Sequence, residues 1–143
     1  MFTEILVPTD GSDTSLVAVD KGVAIARQFE TTVHFLYVVD VGTEMSASAV
    51  GDIADDLTTT LEEVAADALD TAESRAEDVG VSYERTILEG VPHEAIIDYS
   101  TDQDIDLVVM GESGHSGLKE HLLGSTTDRV AQSAETSVLI ARS

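Results

Sequence analysis

Five β-patterned runs, each separated from the next by a stretch with helical periodicity, constrain this chain more than any other feature. Ile5, Leu6 and Val7 make an unbroken apolar run within Glu4–Thr9, as a strand buried on both faces requires. Asp10, Gly11, Ser12 and Asp13 follow as turn and helix-capping residues. Leu16, Val19, Val23, Ala26 and Phe29 then recur every three or four positions, which predicts an amphipathic helix. Thr32–Val39 is rich in β-branched and aromatic residues and reads as the second strand. Val41–Gly51 is small and polar and reads as a surface loop. Ile53, Leu57, Leu61, Val64, Ala68 and Ala72 mark a long helix that Gly80 stops. Ser82–Leu88 is a third, more polar strand, expected near an edge of the sheet. Pro92 opens a short helix running to Asp102, with Ala95, Ile96 and Ile97 inward. Leu107–Met110 is the fourth strand, Ser125–Ala134 the last helix and Val138–Ala141 the last strand.

Strict alternation of strand and helix predicts an α/β fold: an open, mainly parallel sheet with helices on both faces. No repeat, low-complexity tract or linker interrupts it, so residues 1–143 are expected to form one domain. In such sheets ligands sit outside the carboxyl ends of the strands, near the point where the strand order reverses. That rule directs attention to Thr9–Asp10–Gly11, Val38–Val39–Asp40 and Met110–Gly111.

Charge narrows the range of partners. Asp and Glu number 28 against 7 Lys and Arg, a net charge of −21. A surface of that sign repels phosphate backbones and argues against nucleic-acid binding. With 43 % apolar residues and clear periodicity, the acid excess is not that of a disordered chain. It reads as a halophilic surface, adapted to a salty cytosol in which self-repulsion is screened. The absence of cysteine excludes disulfides and thiol catalysis. No signal peptide and no span of membrane length is seen, so a cytoplasmic location without membrane insertion is expected.

Glycine spacing supplies the functional signal. Gly111 ends the fourth strand, Gly114 follows, and Gly124 precedes Ser125 and Thr126 at the start of the last helix. Glycines let backbone amides approach a phosphate, and a helix N-terminus adds free N–H groups and partial positive charge. Ser125 and Thr126 add hydroxyl donors. The same residues equally suit a tight loop and a helix start with no ligand. There is no GxxxxGK[ST] run and no GxGxxG after the first strand, which leaves P-loop and dinucleotide folds unsupported.

Gly111-Glu112-Ser113-Gly114, nine residues and then Gly124-Ser125 resembles the ATP-binding signature of universal stress proteins. The opening Ile5-Leu6-Val7-Pro8-Thr9-Asp10-Gly11-Ser12 is similar to that family as well. So are Gly90-Val91-Pro92-His93-Glu94-Ala95-Ile96 and Gly117-Leu118-Lys119-Glu120 leading into Leu122-Leu123-Gly124-Ser125. The likeness runs the length of the chain. It implies a five-stranded Rossmann-like parallel sheet of order 3-2-1-4-5 with four helices. It implies ATP, with Mg²⁺ sharing the charge, as ligand. Adenine and ribose would lie against Pro8, Thr9, Asp10, Val38, Met110 and Gly111, and phosphates on Gly114, Gly124, Ser125 and Thr126. Asp10 makes independent sense at the sugar, where a carboxylate accepts from hydroxyls yet repels phosphate; its competing role is to cap the first helix. The resemblance further implies a homodimer paired through Ser137–Ala141, and a regulatory protein of the stress response acting on an unknown protein partner.

Two departures stand out. Ser113 occupies a position where the family often has Arg, His or Thr, and Thr126 one where it has valine. Glu112 should point away from any phosphate. Of the four histidines, His34 reads as structural and His93 as a packing or capping residue. His115 and His121 share the glycine loop with Lys119, where they would neutralise phosphate or simply face solvent. No catalytic constellation or metal-ligand spacing is evident. Rival readings are a nucleotide-free dimeric module and an ATP-pyrophosphatase-like enzyme, whose SGGxDS-type loop Asp10–Ser15 only faintly echoes.

Overall fold

The computed structural model describes residues 2–40, 51–112 and 124–142, with side chains from Thr60 onward in the second helix. The elements are β1 (Glu4–Pro8), α1 (Asp13–Phe29), β2 (Thr32–Val39), α2 (Gly51–Asp78), β3 (Tyr83–Glu89), α3 (Pro92–Asp102), β4 (Leu107–Gly111), α4 (Ser125–Ser133) and β5 (Ser137–Ala141). The strands form one sheet of order β3-β2-β1-β4-β5, every neighbouring pair parallel. The expected fold class and strand order are therefore those of the molecule. The order reverses at β1, which pairs through Ile5 with Val33 on one side and Leu107 on the other.

Alternation along the central strands divides the core into two layers. Ile5, Val7, Val33, Phe35 and Val109 face α1 and α2, meeting Ala18, Val19, Val23, Leu69 and Ala72. Leu6, Leu36, Val108 and Met110 face α3 and α4, meeting Ile96 and Val130. β3 is at an edge, as its polar sequence predicts.

The inward face expected for α2 is buried at Ala68 and Ala72 but not at Val64. Ala65, Ala68, Leu69, Ala72 and Ala76 are buried, while Val64 is 44 % exposed. Hydrophobicity alone favours Val64, but the close approach of α2 to its neighbours selects the alanine face. A Cβ built on Gly11 would already lie 3.3 Å from that of Ala68. In α3, Ile96 is fully buried while Ala95 and Ile97 are half-buried, and Ser100 completes the inward face. Ser100 is satisfied there by donating to the Ile97 carbonyl at 2.7 Å.

Helix ends follow local rules. Gly80 (φ +73°) terminates α2, with its N–H on Glu77 O and that of Val81 on Ala76 O. α1 and α3 end through the same left-handed turn, but with acids in it: Glu30 (φ 54°) and Asp104 (φ 52°). Thr31 N–H then reaches Ala26 O, and Ile105 N–H reaches Ser100 O. The loop expected over Val41–Gly51 lies outside the described residues, apart from Gly51, which begins α2.

Candidate functional site

β1 ends at Pro8, and the chain turns from it into α1 through a directed chain of hydroxyl hydrogen bonds. Ser15 Oγ donates to Ser12 O at 2.9 Å, which uses its single proton. The 3.0 Å contact between Thr9 Oγ1 and Ser15 Oγ must therefore run from Thr9 to Ser15. Thr9 Oγ1 in turn accepts from Gly11 N–H at 3.2 Å. Thr9 and Ser15 are both buried, and each proton has a place. Ser12 is the N-cap of α1, accepting from Ser15 N–H. Asp10 does not cap the helix; its Oδ1 accepts from Ser12 N–H at 2.9 Å within the turn.

On the other side of the reversal, β4 ends against the start of α1. A Cβ on Gly111 would stand 2.5 Å from Thr14 O and 2.8 Å from its carbonyl carbon. Gly111 is thus required by backbone packing, a role the spacing argument did not foresee. The chain returns to α4 at Gly124, whose N–H donates to Glu112 O at 2.8 Å. Thr127 Oγ1, buried, donates to Gly111 O at 2.9 Å. Gly124 is the N-cap of α4, and among the described residues no side chain caps the helix. The Glu112 carboxylate is 3.7 Å from Arg142 Nη1, beyond β5, and does not line the cleft described next.

A cleft of about 330 Å³ opens at the carboxyl ends of β1, β2 and β4. Pro8, Thr9 and Asp10 line it from β1, and Val38 from β2. Met110 and Gly111 line it from β4, and Gly124, Ser125 and Thr126 from α4. Nine of the residues singled out in sequence thus meet around one space, while Gly114 lies outside the described residues, as do Ser113, His115, Lys119 and His121. Leu36, Val39, Asp40, Pro92 and Ile96 also line the cleft. Val39 and Asp40 stand at a strand end to which the switch-point rule points. Pro92 and Ile96 belong to the family-like segment Gly90–Ile96 and read in sequence as a helix start and a core residue, not as ligand contacts; packing of α3 on the sheet brings them to the cleft. Among the described lining residues the charged side chains are Asp10 and Asp40, both acidic. Among the described residues no group of three or more His, Cys, Asp or Glu side chains could hold a metal ion.

His34 is structural, as expected. It is buried on β2, bonded through Nδ1 to Tyr99 Oη at 2.8 Å and through Nε2 to Glu4 at 2.9 Å. Burial raises the Tyr99 phenol above its ordinary pKa, with the Glu84 and Glu4 charges adding to the effect.

Comparison with known proteins places this geometry. The family model described as the universal stress protein family matches residues 1–142. The chain belongs to the universal stress protein family. It is 37 % identical to the universal stress protein MJ0531 of Methanocaldococcus jannaschii, over 99 % of this chain and 83 % of that one. The universal stress protein UspA from Lactobacillus plantarum superposes with a TM-score of 0.84 at 32 % identity, covering 99 % and 98 % of the two chains. A universal stress protein solved in complex with cAMP superposes with a TM-score of 0.71 at 27 % identity, covering 99 % and 97 %. Among the described residues of this universal stress protein, no helix is long and apolar enough to cross a membrane.

Proposed function

We propose that this universal stress protein is an ATP-binding regulatory module of the stress response, and that the cleft at the sheet reversal is its nucleotide site. The observation that carries this reading is the set of chemistries that line this one cleft. Leu36, Val38, Ile96 and Met110 offer an apolar wall suited to the face of a purine. Asp10, also in the lining, suits ribose hydroxyls. The first turn of α4 has amides with no side-chain cap among the described residues, and Ser125 and Thr126 beside them, which suits phosphate. The volume is at the lower end of the ~300–1,000 Å³ usual for small-molecule sites. Gly114 would add backbone amides to the phosphate end. Mg²⁺ would arrive on the phosphates rather than on a carboxylate cage of the protein. The relative in complex with cAMP supports an adenine nucleotide.

Homodimerisation is assigned to β5, and the contrast between the two sheet edges supports it. β3 carries Glu84, Arg85 and Glu89, charges that discourage strand addition, whereas Ser137–Ala141 carries none. The dimer would present the nucleotide state of the cleft to a protein partner in the cytoplasm. The test is calorimetric titration with ATP in molar KCl, with and without Mg²⁺. Binding near one ATP per chain is the expected result. No heat on demonstrably folded protein would reassign the chain as a nucleotide-free dimeric module.

A further inference from the structure

Thr127 is the third residue of α4, the position from which a side chain commonly reaches back to the N-cap amide. That amide is already taken: Gly124 N–H donates to Glu112 O at 2.8 Å. The Thr127 hydroxyl instead donates to Gly111 O at 2.9 Å, in a contact that is fully buried. Two hydrogen bonds therefore staple the start of α4 to the end of β4, on either side of the intervening loop. The strand end is fixed in its turn, because Gly111 lies flush against the backbone of Thr14. The staple acts without covering the first-turn amides, since among the described residues no side chain caps α4. An Asp or Ser at the N-cap would steady the helix equally well, but its oxygen would occupy those donors.

We infer that Thr127 is a positioning residue for nucleotide phosphates: it aims the uncapped end of α4 into the cleft while leaving its amides open. The inference rests on the nucleotide reading above and concerns the phosphate end of the site alone. Thr127 itself lines the cleft, but its hydroxyl is buried on Gly111 O, so its effect on the ligand runs through the placement of the helix. Removing its hydroxyl leaves Gly111 O without that donor and lets the helix start drift, and anion binding at a helix terminus fades within one turn.

The experiment compares Thr127→Val, which keeps shape and loses the hydroxyl, with Thr127→Ser, which keeps the hydroxyl. Calorimetry measures Kd for ATP and for adenosine, with folding checked by circular dichroism. Thr127→Val should weaken ATP about five- to tenfold, the size of a helix-terminus interaction. It should leave adenosine within about twofold, because the apolar wall is untouched, and Thr127→Ser should restore the wild-type ratio. Equal losses for ATP and adenosine, or no loss for either, would overturn the inference. If Thr127→Val does not fold, Thr127→Ala is measured in its place. Failure of both to fold would also overturn it, since the hydroxyl would then hold the fold rather than aim the helix. Failure of the nucleotide reading looks different: wild-type protein would bind ATP no better than adenosine, or bind neither.

Discussion

Placing a carboxylate at the first position of α4 should strengthen the fold and weaken ATP binding at once. Ser125 is exposed, begins the helix and lines the cleft. In Ser125→Asp the new charge meets the positive end of the helix dipole, worth about 0.3–1 kcal/mol at an exposed site. For a chain of this size that raises Tm by roughly 1–3 °C. The same charge repels a phosphate bound at the helix end. At ~6 Å and an effective dielectric near 20, the repulsion is about 3 kcal/mol per pair of unit charges. Molar KCl, with a Debye length of about 3 Å, reduces it to below roughly 1 kcal/mol. ATP also loses its own share of the dipole, about 1 kcal/mol. The sum of about 1.5–2 kcal/mol predicts a 10- to 30-fold rise in Kd in molar KCl, and more in dilute salt. Calorimetry and a thermal melt of the same preparation read both effects, with Ser125→Asn as the control of similar size and no charge. Unchanged affinity for ATP would show that phosphate does not sit at α4. A Tm that falls together with the affinity would show that Ser125→Asp acts by damaging the fold.

Four further outcomes are expected. Glu30→Gly relieves a left-handed residue at the end of α1 and should stabilise the protein by about 0.5–1 kcal/mol, read as a higher urea midpoint at constant slope; a lower midpoint would show that the turn carries no strain. Gly111→Ala drives a Cβ to 2.5 Å from Thr14 O and should destabilise by about 1–3 kcal/mol; a neutral result in urea unfolding would refute the wedge between β4 and α1. Burial raises the Asp106 carboxyl, but the amides of Thr3 and Glu4 and the Thr3 hydroxyl outweigh it and hold the pKa below the ordinary value. Its stabilising effect is therefore complete above the unfolded pKa of about 3.9 and is lost as pH falls through the depressed value; Asp106→Asn should flatten the acid limb of the stability curve, and an unchanged limb would refute the assignment. With a net charge of −21, the urea midpoint should rise from dilute buffer to molar KCl, and salt-insensitive unfolding would remove the case for adaptation to a salty cytosol.

Local chemistry was readable from the sequence because it depends on neighbours along the chain. Ile5–Leu6–Val7 and Val108–Val109 are apolar on successive residues, as strands covered on both faces demand, and both are fully buried. Gly80 stops α2 because a left-handed residue is needed there, and Pro92 opens α3 because the first helical turn has no use for its N–H. The glycines and hydroxyls around β4 and α4 carry a recognisable spacing, and with the strand-end rule they pointed to residues that the fold does gather at one cleft. Tertiary structure decided everything that depends on distance between segments. It chose the alanine face of α2 over Val64, since the space between packed elements, not hydrophobicity, set the limit. It gave Gly111 a packing reason, chose Ser12 from the capping candidates Asp10–Asp13, and turned the Thr127 hydroxyl toward β4. It brought Pro92 and Ile96 to the cleft from a helix with no ligand signature. A sequence records which residues can form a strand, a cap or a turn; which of them end up within a few ångströms of one another is fixed only when the sheet closes its order and the helices pack on its two faces.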